Sequence, residues 1–522
     1  MRIHPVTGMI PQLQTWSGVL TYLSIIFFFS SIARYLKSKN KVITYWPIVG
    51  ALPCLFQNAH RVHDWTVDIA NTYGLTKLER GPFFARLELL FTCDPHNVEY
   101  ITKTNFSNYP KGHEYNKVFR ILGDGLFNTD FDLWHGLRNL ARTAFVSNNF
   151  SSLVSNLSKK VVEDELVPLL SGSAKTSTSI DLEDIFLSYT FDVIFIAIFG
   201  RNPKCLSRNS SNNEFAKAMD DGLEAVFFRH VTPPFWWKLC HFLMIGKEKK
   251  LQNAWETIDR LMSQYIALKK QDLLQGKQEQ ADLLSSYISF QKEGKKFSSG
   301  GDKFLRDSAL TLLFAGRDTT GSALSWFFYS VLTNPVVEAK IMEELNNVYI
   351  KHSSFENAEK AKIPFIFDSE DLKGLVYLHA TLCEVLRLYP SVPINRKEVV
   401  RKDVLPDGRK VKPGMTIVIS MYAMARMESI WGTDCSEFKP ERWIDKNGKL
   451  KSSDMDKFFT FGSGPRTCIG KDFAFTMMKL AAAALLFNFR MEVVKDHVVY
   501  PRPSLVLRMK NGLSVNIKPR VE

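Results

Sequence analysis

The sequence predicts a helix-rich chain with a small β subdomain and one N-terminal transmembrane helix. Residues 303–333 form a proline-free stretch that, at about 1.5 Å per residue, is long enough to cross a whole domain. Residues 251–274 repeat apolar side chains at helical spacing. Two shorter runs, 391–400 and 411–420, have the composition of strands and are bounded by proline or glycine, with a turn at 405–408.

Composition describes a folded chain with a substantial core. Of the 522 residues, 45% are hydrophobic and 12% are aromatic, which excludes an intrinsically disordered protein. There is no internal repeat and no long glycine, serine or proline linker after the N-terminal region. We therefore expect an anchor with a basic stop at residues 1–40 and one large domain at residues 41–522.

Residues 16–33 carry no charge and are long enough for a bilayer helix, which needs about 17 to 25 residues. Basic residues follow at Arg34, Lys37, Lys39 and Lys41, so the positive-inside rule places the rest of the chain in the cytosol. A cleaved signal peptide is the alternative, but the positive charge lies after the apolar run.

The cysteines and the net charge restrict the class of protein further. The seven cysteines show no paired spacing, which argues against zinc and for a reducing compartment. The net charge of +13 is compatible with nucleic acid, an anionic membrane surface or an acidic protein partner. No recognition motif supports nucleic acid, so membrane and protein partners are favoured.

The most informative pattern is the run FGSGPRTCIG at residues 461–470. A cysteine binds a metal as thiolate, which needs nearby cations or N–H donors. Gly464 and Gly470 are expected to turn the backbone so that N–H groups face the Cys468 sulfur, and Arg466 supplies a cation. A helical pattern from residue 471 places Cys468 before a helix N-terminus, where the macrodipole favours an anion. The alternative is a buried structural cysteine in a glycine-rich turn.

The spacing of Phe461, Gly464, Arg466, Cys468 and Gly470 resembles the haem-binding loop of the cytochrome P-450 family, the haem-thiolate monooxygenases. All five expected positions match. The resemblance implies that haem b is the cofactor and that Cys468 is the axial ligand of its iron. It also assigns Phe461, Arg466 and Gly470 to cofactor binding.

Two further positions are expected to meet the haem carboxylates. Trp134 and Arg138 lie at i and i+4 on one helical face, where an indole N–H and a guanidinium can reach one pair of carboxylates. This pair resembles the family's propionate-binding helix. Arg396, in the first strand run, is a further candidate for a propionate contact.

The long helix carries the run AGRDTTG at residues 315–321, which contains several poor helix formers. Ala315 and Gly316 are expected to leave room for a flat cofactor, and the Thr319 hydroxyl can bond back to the carbonyl of Ala315. Asp318 adds a carboxylate able to relay protons. A helix kink with a solvated aspartate is the alternative. The Asp318–Thr319 pair resembles the family's oxygen-activation motif, which implies monooxygenation.

Glu384 and Arg387 lie one turn apart on a predicted helix, and a second arginine, Arg442, follows later in the chain. A lone pair of this kind is usually a surface ion pair. The resemblance implies instead a structural Glu-Arg-Arg triad that locks the region of the cysteine loop to the core helices.

These motifs span residues 134 to 470 and together resemble the cytochrome P-450 fold. The resemblance implies a mainly α, single-domain haem-thiolate monooxygenase at residues 41–522 with a small β subdomain. It further implies O2 as co-substrate, electrons from NADPH through a cytochrome P-450 reductase, and an endoplasmic reticulum membrane location with the catalytic domain facing the cytosol.

Substrate class is predicted from other stretches. Residues 105–112, 315–320 and 472–476 resemble the plant branch that hydroxylates long-chain alkanes and fatty acids. Residues 227–245 carry many large apolar side chains around a proline break, a pattern that by itself indicates ordinary core. The resemblance favours instead a surface that enters the bilayer and frames an entry for a lipophilic substrate. An oxidase of specialised metabolism, hydroxylating or coupling an alkaloid or phenolic precursor, is the second hypothesis. A non-catalytic haem-binding membrane protein is the third.

Overall fold

Helices make up most of the chain in the computed structural model, as predicted. It describes residues 21–520 except positions 23, 27, 30, 31, 34, 37, 40 and 47 and the segments 82–87, 146–147, 208–212, 277–281, 293–300, 356–363 and 452–455. From residue 52 onward the α-helices are α1 Leu52–Asn58, α2 Val62–Tyr73, α3 Pro95–Glu99, α4 His113–Val118, α5 Phe131–Phe145, α6 Asn148–Val161, α7 Val167–Thr176, α8 Leu182–Phe199, α9 Asn213–Val231, α10 Pro234–Phe242, α11 Gly246–Leu274, α12 Leu283–Lys292, α13 Asp302–Leu332, α14 Pro335–Phe355, α15 Val376–Leu388, α16 Met421–Met424, α17 Glu428–Trp431 and α18 Lys471–Asn488.

The strands form three small sheets. They are β1 Thr76–Arg80, β2 Glu88–Thr92, β3 Ile180–Asp181, β4 Ile394–Glu398, β5 Asp403–Val404, β6 Lys410–Val411, β7 Thr416–Ser420, β8 Phe489–Val493 and β9 Ser514–Pro519. The largest sheet has the order β1-β2-β7-β4, in which β2 and β7 are parallel and the other pairs antiparallel. The two predicted strand runs thus become β4 and β7, which are direct neighbours with Arg396 opposite Val418.

Most of the predicted membrane anchor lies outside the described residues. Among the residues that are described, no helix is both long enough and apolar enough to cross a bilayer.

The long helix α13 runs through the core with α8 packed along it. Its 31 residues agree with the predicted stretch to within one residue at each end. Helix α8 is buried almost all round, as expected of a helix whose faces are all apolar. Gly316 and Gly321 of α13 let the two helices approach, because a Cβ on either would press against Ile194 or Leu187 of α8. Gly316 therefore makes room for α8, and not for a cofactor as predicted.

Two local features depart from what composition alone suggests. The polar run at residues 276–301 contains α12, because Leu283, Leu284, Tyr287 and Ile288 recur at helical spacing and are buried. The Asn511–Gly512 dipeptide does not close a hairpin but leads into β9. That strand pairs with β8 and β3, which come from distant parts of the chain.

Candidate active site

The cysteine loop makes its tight turns at Gly462 and Gly464, which have φ angles of +70° and +66°. A side chain on Gly464 would collide with the carbonyl of Thr102, so the loop also needs glycine there for close packing. Gly470, predicted to help the turn, has φ −93°, which any residue can adopt. The Cys468 N–H donates to the Phe461 carbonyl at 2.8 Å and closes the loop.

Cys468 faces a space inside the protein. All seven cysteines lie in described residues and are free, and Cys468 is the only one that is exposed. Burial by the surrounding protein nevertheless raises the pKa of its thiol, while the Gly470 N–H, Arg138 and Lys471 lower it. An accessible but desolvated thiol is expected where an atom opens into an internal cavity.

The cations nearest the thiol differ from the predicted one. Arg138 and Lys471 are those that stabilise the thiolate. Arg466 points away from the sulfur and toward Asp130 and the carbonyl of Thr129, at 2.7 and 2.5 Å. The loop still precedes the N-terminus of α18, as predicted, with Gly470 at the N-cap position.

Helix α5 lies against the cysteine loop through the two residues predicted for propionate binding. The Trp134 ring is buried, and the Arg466 guanidinium lies 4.5 Å from its centroid. Arg138 donates to the carbonyl of Thr467 at 2.6 Å. The structure therefore brings Trp134, Arg138, Arg466 and Cys468 into one region.

Two lysines that the sequence analysis did not single out join this region. Lys111 and Lys397 are buried, and Lys111 donates to Tyr115 and Asn395 at 3.2 and 3.3 Å. Burial and the neighbouring Arg466 lower the pKa of Lys397 to about 7. Burial, Lys397 and Arg466 likewise hold the pKa of Lys111 well below its ordinary value.

We call Lys111, Lys397 and Arg466 the cation cluster. Asp130 is the carboxylate that favours the charged form of all three side chains. The Arg466 Nε atom is buried and has no hydrogen-bond partner among the described residues. Three desolvated cations against one carboxylate leave a deficit of negative charge, which a flat group with two carboxylates, such as haem, would fill.

Arg396 precedes Lys397 on β4, and its guanidinium donates to the hydroxyl of Thr416 at 3.2 Å. Side chains alternate along a strand, so the two residues leave β4 on opposite faces. The charge of Arg396 nevertheless acts on Tyr115, as that of Arg466 does, and on His230, as that of Lys111 does. Arg396 therefore lies near the cation cluster, and its contact with a propionate stays a prediction.

The Asp318 and Thr319 side chains leave α13 in different directions. Thr319 donates to the carbonyl of Ala315 at 2.6 Å, the predicted bond. Ala315 is exposed although it lies in the middle of a buried helix, so this face also borders internal space. Asp318 is fully buried instead and pairs with Arg317 at 3.3 Å and with Arg508.

Asp318 therefore belongs to a charged group that the sequence did not reveal. Asp220 of α9 accepts from Arg317 at 2.7 Å and from Arg508 at 2.8 Å. Although burial raises it, these two guanidiniums bring the pKa of Asp220 down to about 2. Asp318 Oδ2 has no partner among the described residues. A buried carboxylate oxygen without a donor is expected to hold a water molecule.

Glu384, Arg387 and Arg442 form what we call the Glu384 cluster. Both Glu384 oxygens accept from Arg387 at 2.8 Å, and Arg442 lies 3.5 Å from one of them. The Trp443 indole and the Lys439 N–H also donate to Glu384, at 2.9 and 3.0 Å. The Arg387 guanidinium also donates to the carbonyls of Ala425, Cys435 and Glu437.

Comparison with known proteins decides the family. The family model described as Cytochrome P450 matches residues 42–517. The chain belongs to the cytochrome P450 family. It is therefore a monooxygenase with a haem-thiolate cofactor, and it works with O2 and an electron-transfer partner. The cation cluster and the accessible Cys468 thiol fit that cofactor.

The relatives differ in what they act on. Noroxomaritidine synthase of Narcissus aff. pseudonarcissus MK-2014 is 39% identical over 505 residues, covering 96% of each chain. Cytochrome P450 86B1 of Arabidopsis thaliana is 41% identical over 504 residues, covering 96% of this chain and 89% of the relative. Alkane hydroxylase MAH1 of the same plant is 38% identical over 509 residues, covering 96% and 99%. These identities are too similar to choose a substrate.

Proposed function

We propose that this P450 hydroxylates a long-chain aliphatic substrate, an alkane or a fatty acid, that it takes from a membrane. The observation that supports this is an apolar patch on α10 and the turn after it. The patch consists of exposed side chains, with Phe242 exposed by 83%: Phe235, Trp236, Leu239, Phe242, Leu243, Met244 and Ile245. An exposed patch of this kind suits contact with a lipid surface.

Aromatic side chains continue from this patch toward the interior. Trp237 of α10 packs on the Arg229 guanidinium, whose own donors reach the carbonyls of Lys117 and Val118 at the end of α4. Tyr115 of α4 stacks on Phe119 with ring centroids 4.5 Å apart. Phe119 in turn packs on Phe127 and His230. An aliphatic chain entering from the bilayer would meet this run of aromatic side chains.

Haem, when bound, supplies the oxidative chemistry: one atom of O2 enters a C–H bond and the other leaves as water. We assign Cys468 to the iron as thiolate, held by the Gly470 N–H, Arg138 and Lys471. Trp134, Arg138, Arg466 and the two buried lysines are assigned to the haem carboxylates. Phe461 and Gly470 of the loop border the cofactor.

Thr319 and Asp318 serve proton delivery in this proposal. Thr319 presents its hydroxyl on the face of α13 that borders the cavity. Asp318 passes protons from the side of α9, through water at its unpartnered oxygen. Since the two side chains diverge, a proton must cross between them by water and not by a direct bond.

The Glu384 cluster and the N-terminal segment have roles outside the reaction itself. The Glu384 cluster ties the segment before the cysteine loop to α15, helped by Thr460, which donates to the Leu386 carbonyl at 2.9 Å. Residues 1–40 anchor the monooxygenase domain at 41–522 to the cytosolic face of the endoplasmic reticulum. Two electrons come from NADPH through a cytochrome P-450 reductase.

A second candidate function rests on the relative named noroxomaritidine synthase, at 39% identity. Under it the enzyme would act on an alkaloid or phenolic precursor, by hydroxylation or by oxidative C–C coupling. Pocket shape discriminates between substrates by only about 1 to 3 kcal/mol per methylene, so a few side chains decide the outcome.

Product mass distinguishes the two candidates. The full-length enzyme is incubated with a cytochrome P-450 reductase, NADPH and a mixture of alkanes, fatty acids and phenolic alkaloid precursors. We expect aliphatic products that have gained one oxygen atom. Phenolic products that have lost two hydrogens, with no oxygenated aliphatic product, would contradict the proposal. The Cys468→Ala variant, which should lack the thiolate-type carbon monoxide spectrum, is the control.

A further inference from the structure

A buried ion pair lies beneath the apolar patch. Arg229 is in the last turn of α9 and Glu248 is in the first turn of α11, each at the helix end where its charge is favoured. The Arg229 guanidinium donates to both Glu248 oxygens, at 2.8 and 2.6 Å. The Glu248 side chain is fully buried and that of Arg229 is 6% exposed. Such a bidentate pair resists separation, because either charge alone would be desolvated and uncompensated.

Helix α10, which carries most of the patch, rests on this pair. The Arg229 guanidinium lies 4.6 Å from the centroid of the Trp237 ring. His241 Nδ1 lies 3.3 Å from the Glu248 oxygen that Arg229 Nη2 also contacts. Trp237 and His241 are one helical turn apart, so they meet the pair from one side of α10. The helix is therefore held to the ion pair at both partners.

Helix α4 is held by the same guanidinium. Arg229 Nη1 donates to the carbonyls of Lys117 and Val118, the last two residues of α4, at 3.2 and 3.3 Å. Carbonyl groups at a helix end have no partner within the helix, so these bonds fix the position of that end. The rings of Tyr115 and Phe119, which begin the run of aromatic side chains, stand next to it in the chain. Arg229 thus joins the patch to the aromatic run.

We propose that Arg229 and Glu248 couple the apolar patch to α4, so that contact of the patch with lipid orders α4 and its aromatic side chains. This inference rests on the proposed function and adds two positioning residues to it. Because the pair resists separation, α10, the pair and the end of α4 shift together. Lipid that favours one position of α10 therefore favours the matching position of α4. Linkage is reciprocal, so an aliphatic substrate that packs on Tyr115 and Phe119 also strengthens the lipid contact of the patch.

A second ion pair joins the same two helices without these contacts. Lys247 of α11 lies 2.5 Å from Glu224 of α9, and the two side chains are 38% and 30% exposed. Neither side chain bonds to any residue of α4 or α10, both of which the structure describes throughout. Solvent screens a pair of this kind, so it contributes little. It provides a matched control for the buried pair.

The test is a double-variant cycle on the full-length, haem-loaded enzyme in phosphatidylcholine discs, with hydrogen exchange of residues 113–118 as the readout. Phe242→Asp withdraws the patch from lipid. Arg229→Met with Glu248→Met replaces the buried pair by apolar side chains, an exchange that proteins often tolerate. We expect Phe242→Asp to speed exchange at 113–118 about 10-fold in the wild type and to change nothing where both methionines are present.

Two further measurements complete the test. Lys247→Met with Glu224→Met should respond to Phe242→Asp as the wild type does. Quenching of Trp236 by brominated lipid, taken as the difference from Trp236→Phe, measures contact of the patch with lipid directly. Addition of an alkane or fatty acid should increase that quenching in the wild type but not in the Arg229→Met, Glu248→Met protein.

Three results would overturn the inference. If Phe242→Asp speeds exchange equally with and without the buried pair, the pair has a merely structural role. If Phe242→Asp abolishes quenching of Trp236 but leaves exchange at 113–118 unchanged, lipid contact does not reach α4. Both results leave the proposed uptake from a membrane standing. Absence of Trp236 quenching in the wild type would overturn that uptake as well, because the patch would not contact lipid.

Discussion

The Glu384 cluster and the cation cluster are both buried groups of charges, yet they differ in how completely they are satisfied. Both oxygens of Glu384 accept hydrogen bonds from side chains and backbone, and its arginines bond carbonyls. In the cation cluster, Lys111, Lys397 and Arg466 share one carboxylate, and the Arg466 Nε has no partner among the described residues.

The difference distinguishes a charged group that holds the fold from one that awaits a ligand. A buried ion pair whose hydrogen bonds are all made needs no further partner. Removing one member leaves an uncompensated buried charge. Buried cations with too few anions disfavour the folded state until an anion binds. The two carboxylates of haem would therefore complete the cation cluster and add nothing to the Glu384 cluster.

The largest effect is expected from Glu384→Gln. The substitution leaves Arg387 and Arg442 buried without their carboxylate, which typically costs about 3–5 kcal/mol. We expect the free energy of unfolding to fall by that amount, with loss of the haem Soret band where folding fails. Urea unfolding measures it. Glu370→Gln, which breaks the exposed pair with Lys373, is the control and should change stability by less than about 0.5 kcal/mol. Similar losses in both variants would contradict the distinction.

An unsatisfied group need not be a ligand site, and His63 shows this. Its ring is buried, and neither ring nitrogen has a hydrogen-bond partner among the described residues. Burial lowers the pKa of His63 to about 4. The groups that act on it are Asp64, the Ser504 backbone and Arg426, with the Tyr422 ring beside it, so the described residues around it form no set of donors for an anion.

The desolvation of His63 can be tested through the pH dependence of the free energy of unfolding. Because the folded pKa, about 4, lies below the unfolded value of 6.5, the folded state disfavours the protonated form. The contribution to stability is complete above pH 6.5 and is lost as pH falls toward 4, by up to about 3 kcal/mol. The difference between wild type and His63→Phe in urea unfolding should follow this curve from pH 7.5 to 4. Parallel curves would show that His63 is not desolvated.

Contacts between residues close together in the sequence could be predicted from spacing, whereas contacts between residues far apart in the sequence could not. The Thr319 bond to Ala315 and the Glu384–Arg387 pair join residues one helical turn apart, so spacing alone indicates them. Asp318 pairs with Arg508, 190 positions away, and no local pattern points to it. The order of β1, β2, β7 and β4 likewise depends on tertiary pairing.

Arg396 and Lys397 are a case between these two. Both residues lie side by side in a predicted strand, and the sequence singled out Arg396 alone. Burial, Arg466 and Asp130 shift the pKa of Lys397, and Arg396 acts with Arg466 on Tyr115. These neighbours come from distant parts of the chain, so the strand pattern indicated the strand but not the role of Lys397.

The smallest expected effect is on haem release, and it tests whether Lys397 contacts the haem carboxylates. Lys397→Met keeps the length and the apolar stem of the side chain but removes the charge, so the haem carboxylates lose one charged donor. Such a contact is worth about 1.5–3 kcal/mol, which corresponds to haem release about 10- to 100-fold faster. Transfer of haem to an acceptor globin measures the rate without turnover.

Lys402→Met is the matched control, because Lys402 is exposed on the same segment and should release haem at the wild-type rate. Release of haem from Lys397→Met at the wild-type rate would show that this buried lysine does not contact the haem carboxylates.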